Sequence, residues 1–170
     1  MVTILAGNEC TGKSTCFEML RKNFEDKNDV LFIKESHPDS IEEKWKRVCY
    51  INSLIENKQE AVFDRATVLD DIIYSEIIDH VPSDVANEII VHNVLKKCRI
   101  VYFDCKLDTI AQRMLARGDE FIKPNQLRMI NIGYERAFDQ FELLPIRIDV
   151  NGLTREQVYN KVVEVLKWNE

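Results

Sequence analysis

The sequence predicts an α/β fold in which a five-stranded, mainly parallel sheet is covered by helices on both faces. Short apolar runs alternate with segments of helical spacing; the runs lie at 1–6, 30–34, 61–63, 99–104 and 146–150. Strands separated by helices favour βαβ units, and a continuous apolar run is typical of a strand that is buried on both faces. The active site of such a fold lies beyond the carboxyl ends of the strands.

Helix signals fill the gaps between the runs. Helical spacing covers 13–24, and Ser40 followed by Glu43 predicts a capping box for a second helix. Further helices are predicted over 67–80, up to about residue 95, over 107–117, and after a second capping box at 154–157. Neither a linker nor a repeat interrupts the alternation, so the 170 residues are predicted to form one domain. The apolar stripe of the second helix consists of Ile41, Trp45, Val48, Ile51 and Ile55.

Composition and charge restrict the functional classes. The 23 lysine and arginine residues are outnumbered by 29 aspartate and glutamate residues, which gives a net charge of −6. Such a chain has no general electrostatic attraction to nucleic acid or anionic membranes, so we expect neither as a partner. The sequence has no apolar run near the ~20 residues of a membrane helix and no signal-peptide pattern, which predicts a cytoplasmic protein. Five cysteines without metal-ligand spacing predict reduced thiols and no zinc site.

The first run leads into a complete G-x-x-x-x-G-K-[ST] motif at 7–15. Its glycines allow successive backbone N–H groups to point at an anion, and the following helix directs its positive end at the same place. Lys13 is expected to reach the β- and γ-phosphates of ATP, and the Ser14 hydroxyl is expected to bind Mg²⁺. A chance match in a chain of this length is on the order of one in a few hundred. The predicted ATP-binding residues are Gly7, Asn8, Cys10, Thr11, Gly12, Lys13, Ser14 and Thr15.

A phosphate loop alone predicts nucleotide binding and leaves the reaction open. A Ras-type GTPase needs an N-K-x-D motif to bind guanine, and neither Asn-Lys pair of this chain, at 57–58 or 160–161, continues in that way. An AAA+ motor needs a longer chain. The length therefore favours a small P-loop kinase.

Charged side chains follow the second and third predicted strands. Asp64 can hold Mg²⁺ beside the phosphate loop, and Arg65 can bind a second phosphate bidentately. Lys34 can meet a substrate phosphate, and Glu35 can accept a proton from a hydroxyl group. The alternative for both pairs is a solvated turn or helix end.

Two arginines come four residues apart near the end of the predicted helix 107–117. Arg113 and Arg117 share one helical face and precede Gly118, which predicts a mobile lid at about 113–126 that carries positive charge to the transferred phosphoryl group. The alternative is a solvated helix face.

The loop at 7–15, the Asp64-Arg65 pair and the Arg113…Arg117-Gly118 segment together resemble the thymidylate kinase family of nucleoside monophosphate kinases. The resemblance implies a three-layer α/β sandwich and a homodimer formed by the helices after strands two and three. It also implies that Glu9 contacts the sugar of the acceptor, that Arg65 binds the acceptor phosphate and that Lys34 assists. Cys10 stands where one subgroup carries a catalytic arginine, so the chain resembles the other subgroup, whose basic catalytic residues lie in the lid.

Departures from the family pattern keep the acceptor open. Ala66 stands where the family has an aromatic residue or histidine, and the lid is shorter than usual. Together these departures resemble the compact kinases carried by bacteriophages. The related deoxynucleoside kinases are the alternative. They use a glutamate after strand two as general base, and Glu35 resembles it, although they have Glu-Arg-Ser where this chain has Asp64-Arg65-Ala66.

We therefore predict an ATP- and Mg²⁺-dependent kinase that phosphorylates a deoxynucleoside monophosphate, above all dTMP. The alternatives are a deoxynucleoside kinase that acts on the 5′-hydroxyl and a nucleotide-binding protein without catalysis. Trp45, Tyr50 and Tyr74 are candidates for stacking on the base, but aromatic residues on apolar helix faces more often belong to the core, so core burial is predicted for Trp45 and Tyr50. The candidate catalytic residues are Lys13, Arg65, Arg113 and Arg117, the substrate-binding residues Glu9, Lys34, Glu35, Arg65 and Tyr74, and the Mg²⁺ ligands Ser14 and Asp64.

Overall fold

Five parallel strands form one sheet in the order β2-β3-β1-β4-β5. The computed structural model describes residues 1–26, 29–36, 38, 40–74, 77, 89–117 and 124–168. The strands are Val2–Ala6 (β1), Val30–Lys34 (β2), Glu60–Asp64 (β3), Arg99–Asp104 (β4) and Ile146–Asp149 (β5). All five predicted runs are therefore strands, and the predicted parallel sheet is confirmed.

Seven helices flank the sheet within the described residues. The helix α1 packs against α7, while α3 lies between α2 and α6. None of the helices in the described ranges is long and apolar enough to cross a membrane. The helices are Lys13–Phe24 (α1), Ile41–Glu56 (α2), Thr67–Tyr74 (α3), Ile89–Lys96 (α4), Leu107–Arg117 (α5), Pro124–Gln140 (α6) and Arg155–Leu166 (α7).

The core is centred on the three inner strands. Every residue of β1 is buried, and the apolar residues of β3 and β4 are buried with it. The two edge strands are more open, since Leu31 of β2 is 38% exposed and Ile146 of β5 is 39% exposed. Helices cover both faces of the inner strands, and for this reason the inner strands are continuous apolar runs in the sequence.

Two helix starts were predicted from capping signals. The Ser40 hydroxyl accepts a hydrogen bond from the Glu43 backbone N–H at 3.1 Å, and the Glu43 carboxylate pairs with Arg47 on the next turn. At α7 both halves of the capping box are present: the Gln157 side chain accepts from Thr154 N at 2.8 Å, and Gln157 N donates to the Thr154 hydroxyl at 3.2 Å. The starts of α2 and α7 thus follow from local hydrogen bonding.

Three predictions about the helices need correction or completion. Tyr50 is 44% exposed, so it does not belong to the core, while Trp45 is half-buried against it. The helix predicted over 67–80 is confirmed over Thr67–Tyr74, and the rest of its predicted range, apart from Ile77, lies outside the described residues. The long helix α6 was not predicted. Its Gly133 weakens the helical signal, and this glycine packs closely against α3, since a Cβ there would lie 3.1 Å from the Ile73 side chain.

The sheet register brings the ends of three strands together. Asp64 at the end of β3 is paired with Lys34 of β2 on one side and with Leu5 of β1 on the other. Gly7, two residues after Leu5, begins the phosphate loop. The candidate residues that follow β1, β2 and β3 therefore meet at one edge of the sheet.

Candidate active site

The two glycines of the phosphate loop are required for different reasons. Gly7 has a φ of 140°, and a Cβ at this position would lie 2.8 Å from the Phe103 carbonyl oxygen of β4. Gly12 has open space around it, but its φ of 97° is a left-handed conformation that side chains disfavour. The first glycine permits close approach of the loop to the sheet, and the second allows the turn into α1.

Lys13 lies across the inside of the loop. Its ammonium group is buried and donates hydrogen bonds to the carbonyl oxygens of Gly7, at 2.7 Å, and of Asn8. Burial and the nearby Arg65 lower the pKa of Lys13 to about 8, although the carboxylates around it act in the opposite direction. A buried ammonium of this kind gains when an anion enters the loop, because phosphate charge offsets the cost of its desolvation.

The helix α6 supports the loop from behind. The Asn8 side chain is 1% exposed and donates from Nδ2 to the Leu127 carbonyl at 2.8 Å and to Asn131 Oδ1 at 2.7 Å. The Tyr134 hydroxyl donates to the Gly7 carbonyl at 3.1 Å. Sequence reasoning missed this support; the helical spacing of 127, 130, 131 and 134 was the available signal.

Asp64 is suited to hold a cation. Its side chain is 1% exposed, and Oδ2 lies 3.7 Å from the Lys34 ammonium, while Oδ1 has no hydrogen-bond partner among the described residues. A buried carboxylate oxygen without a partner is unfavourable unless a cation or water meets it. Ser14 is exposed in the first turn of α1, at the mouth of the same loop.

The residues present fit Mg²⁺ held in this way. Mg²⁺ is usually held by one or two protein oxygens together with substrate phosphates and water, so a dense cage of ligands is not needed. The described residues contain no cluster of three or more His, Cys, Asp or Glu side chains that could hold a metal. The oxygens of Ser14 and Asp64 are the donors that would hold the ion.

Arg65 and Glu9 form an ion pair beside the loop. Arg65 Nη2 pairs with Glu9 Oε1, and the Tyr74 hydroxyl lies 3.4 Å from the same oxygen. Burial acts to raise the pKa of Glu9, but the charges of Lys13 and Arg65 outweigh it and hold that pKa below its usual value. Three residues predicted to bind substrate, Glu9, Arg65 and Tyr74, thus lie together.

Asp70 of α3 belongs to the same cluster and was not predicted. Burial raises the pKa of its carboxyl to about 7, against the opposing effect of Arg65 and Lys13. A carboxyl group that changes charge near neutral pH beside a phosphate loop is a feature of functional sites.

The inner face of α3 is polar. Thr67, Asp70, Asp71 and Tyr74 follow one another at helical spacing, in a helix whose other residues are apolar. Asp71 pairs with the buried ammonium of Lys44 at 2.7 Å. This spacing was visible in the sequence, but only the structure shows that Asp70 and Tyr74 face Arg65 and Glu9 while Asp71 faces α2.

Glu35 and Lys34 differ in their surroundings. The Glu35 side chain is 8% exposed, and its Oε2 accepts a hydrogen bond from the Thr67 backbone N–H at 2.6 Å. Lys34 is 59% exposed and contacts Asp64. The solvated turn is therefore wrong for Glu35, which is bound to the start of α3.

Arg113 and Arg117 lie on the other side of the loop. Arg113 Nη1 donates to the Cys10 carbonyl at 3.2 Å, and Arg117 Nη1 lies 3.6 Å from the Cys10 sulfur. The predicted lid residues 118–123 lie outside the described residues. A cavity of about 550 Å³ opens here, lined by residues that include Gly12, Thr15, Arg113, Arg117, Leu153 and Thr154.

Solved structures provide the comparison, since no protein-family model and no curated protein matches the sequence. YorR from Bacillus subtilis, in complex with phosphorylated GDP, is 20% identical with a TM-score of 0.74 and covers 98% of this chain and 96% of its own. Deoxyadenosine kinase from M. mycoides with bound dATP is 18% identical, with a TM-score of 0.65 and coverage of 99% and 100%. This chain has the fold of the P-loop kinases.

Thymidylate kinase from Candida albicans matches the same P-loop kinase fold at 11% identity, with a TM-score of 0.62 and coverage of 98% of this chain and 90% of its own. The predicted α/β class and the resemblance to nucleotide and nucleoside kinases are thereby confirmed at the level of fold. Identities this low leave the acceptor of the phosphoryl group to be argued from the site itself.

Proposed function

We propose that this chain transfers the γ-phosphoryl group of ATP to the phosphate of a deoxynucleoside monophosphate, with dTMP as the acceptor. The observation that carries the proposal is the meeting of Lys13, Asp64 and Arg65 at one edge of the sheet. It provides a cation for the donor phosphates, an oxygen for Mg²⁺ and a second cation for an acceptor phosphate.

The donor side consists of the loop and the cavity beside it. Backbone N–H groups of the loop and the start of α1 bind the phosphates of ATP. The cavity next to Gly12 and Thr15 has the volume of a ligand pocket and takes the nucleoside part. Arg113 and Arg117 lie next to the phosphate loop and line the cavity, so they stabilise charge on the phosphoryl group as it leaves ATP.

The transfer itself exchanges one phosphorus–oxygen bond for another. An oxygen of the acceptor phosphate attacks the γ-phosphorus, the bond to the β–γ bridging oxygen breaks, and its electron pair leaves with ADP. Ser14 and Asp64 would hold Mg²⁺, which would supply positive charge to offset that of the ATP phosphates. A phosphate oxygen is already ionised at neutral pH, so no residue has to remove a proton.

The acceptor side is formed by Arg65, Lys34 and Glu9. Arg65 exchanges part of its contact with Glu9 for the acceptor phosphate, to which its planar guanidinium can donate two hydrogen bonds. Lys34 is exposed next to Asp64 and adds a mobile positive charge. Glu9, with Tyr74 beside it, remains available to accept a hydrogen bond from the sugar.

A deoxynucleoside as acceptor is the second candidate. It is favoured by Glu35, whose carboxylate lies at the end of β2 next to the start of α3, where it can accept the proton of a 5′-hydroxyl. It is also favoured by the match to a deoxyadenosine kinase over the whole chain.

Coupled ADP release with Mg-ATP tests the proposal on a panel of every deoxynucleoside and every deoxynucleoside monophosphate. Turnover with dTMP supports it, while turnover with another monophosphate keeps the reaction and changes the base. Turnover with nucleosides alone replaces the proposal by the second candidate. ATP binding without acceptor-dependent ADP release would instead indicate a nucleotide-binding protein without catalysis.

A further inference from the structure

We propose that Arg47, which no motif singles out, is a positioning residue that acts with Glu35 to hold Arg65 in its binding conformation. The contact runs through Thr67, the first residue of α3. This inference rests on the proposed function, because it assigns Arg65 to the acceptor phosphate.

Arg47 joins three parts of the acceptor side. It lies on α2, and its side chain is 14% exposed. Its Nη1 donates to the Thr67 hydroxyl at 2.6 Å and to the backbone carbonyl of Ser36, and its Nη2 pairs with Glu43 one turn earlier. One guanidinium therefore connects α2, the segment after β2 and the start of α3.

Glu35 holds the same threonine at a second atom. Its Oε2 accepts from the Thr67 N–H at 2.6 Å and lies 3.9 Å from Arg47 Nη1. Thr67 is 6% exposed, so both contacts are shielded from water. The Glu35 carboxylate thus holds the backbone N–H of Thr67, and the Arg47 guanidinium holds its hydroxyl. These two charged groups also face each other.

The need for such anchoring comes from the backbone of Arg65. Its φ is 68°, a left-handed conformation that is unfavourable for an arginine and persists only where the surroundings enforce it. On one side the sheet fixes Asp64 through its register with Leu5 and Lys34. On the other side the chain is fixed two residues later, at Thr67. Without the second anchor, Arg65 can relax and its guanidinium leaves the space between Glu9 and the phosphate loop.

The same geometry gives Glu35 a role other than general base. Its carboxylate is bound to an amide and faces a guanidinium, which suits an anchor for α3. Glu35→Gln keeps an oxygen for the Thr67 N–H but loses the charge that faces Arg47. We expect it to raise the KM for the acceptor several-fold and to leave the pH profile of kcat unchanged. If Glu35 were a general base, the same substitution would instead lower kcat by about 10²–10⁴-fold and remove one limb of the pH profile.

The direct test uses Thr67→Val and Thr67→Ser together with Arg47→Met. Valine removes the hydroxyl at nearly constant shape, and serine restores it. We expect Thr67→Val and Arg47→Met to raise the KM for the deoxynucleoside monophosphate about tenfold, the loss expected for a hydrogen bond to a charged group. The KM for ATP should stay within about twofold of the wild-type value, and Thr67→Ser should restore the acceptor KM.

Arg147→Met is the matched control. Arg147 also pairs with a glutamate, Glu135, at 2.5 Å, but it lies on β5 at the opposite edge of the sheet. We expect it to leave both KM values unchanged. Any of three results would overturn the positioning role. They are equal rises in both KM values, a fall in melting temperature without any change in KM, and a Thr67→Ser variant that does not restore the acceptor KM. A wild-type chain that turns over no monophosphate would refute the proposed function, and this inference with it.

Discussion

Asp70 predicts a pH dependence of stability that a single substitution should remove. In the folded chain its pKa is raised to about 7 from an ordinary value of 3.8, chiefly by burial and against the opposing effect of Arg65 and Lys13. The folded state therefore holds this proton over a pH range in which the unfolded state has lost it. By linkage, the stabilisation is complete below the unfolded pKa and is lost as the pH rises through the folded pKa.

The size of the effect follows from the two pKa values. Each unit of pKa difference corresponds to about 1.36 kcal/mol, and integration between pH 5 and pH 8 gives a loss of about 2 to 3 kcal/mol. Asp70→Asn removes this contribution and keeps the shape of the side chain. The free energy of unfolding is measured in urea for variant and wild type, at pH 5 and at pH 8. The value for the variant minus the value for the wild type should be more positive at pH 8 than at pH 5 by about that amount. A difference between variant and wild type that is the same at both pH values would refute the reasoning.

Three further predictions concern the phosphate loop. Lys13→Ala should lower kcat by about 10²–10³-fold, as the loss of one preorganised donor to a reacting group does, and turnover near the wild-type rate would contradict its role. Gly7→Ala should lower the free energy of unfolding by about 1–3 kcal/mol in urea, because its Cβ meets the Phe103 carbonyl oxygen; an unchanged midpoint would show that the loop has room to move. Tyr134→Phe should lower stability by about 1 kcal/mol and raise the KM for ATP, since the Gly7 carbonyl keeps Lys13 as a donor but loses Tyr134, and kinetics identical to wild type would show that this contact of α6 does not support the loop.

Local signals were enough to predict most of the fold. The phosphate-loop motif fixes a strand before it and a helix after it, and the capping residues Ser40 and Thr154 fix two helix starts, because these features depend on neighbours in the chain. The helix α6 escaped prediction because Gly133 lowers its helical propensity. The close packing of that glycine against Ile73 is a tertiary contact, which the sequence does not show.

The candidate site was predicted only in part for the same reason. Residues at strand ends, such as Asp64 and Arg65, could be assigned because parallel strands bring their carboxyl ends together. Asp70, Arg47 and Asn131 act from the faces of three different helices, and no spacing in the sequence shows which helix faces turn toward the loop. The homodimer, the cytoplasmic location, the resemblance to the compact kinases of bacteriophages and the mobile lid at about 113–126 stay predictions.

The central claim is that Arg65 binds a phosphate of the acceptor, and one kinetic comparison tests it most directly. The measurement is kcat/KM for dTMP and for thymidine with Mg-ATP, in the wild type, in Arg65→Ala and in the control Arg147→Ala. The account predicts turnover of dTMP and not of thymidine. It also predicts a loss of at least about 10²-fold in kcat/KM with Arg65→Ala, since a charged hydrogen-bonding partner of the acceptor is removed, and wild-type values with the control. Turnover of thymidine in place of dTMP, or an Arg65→Ala variant that keeps its kcat/KM, would contradict it.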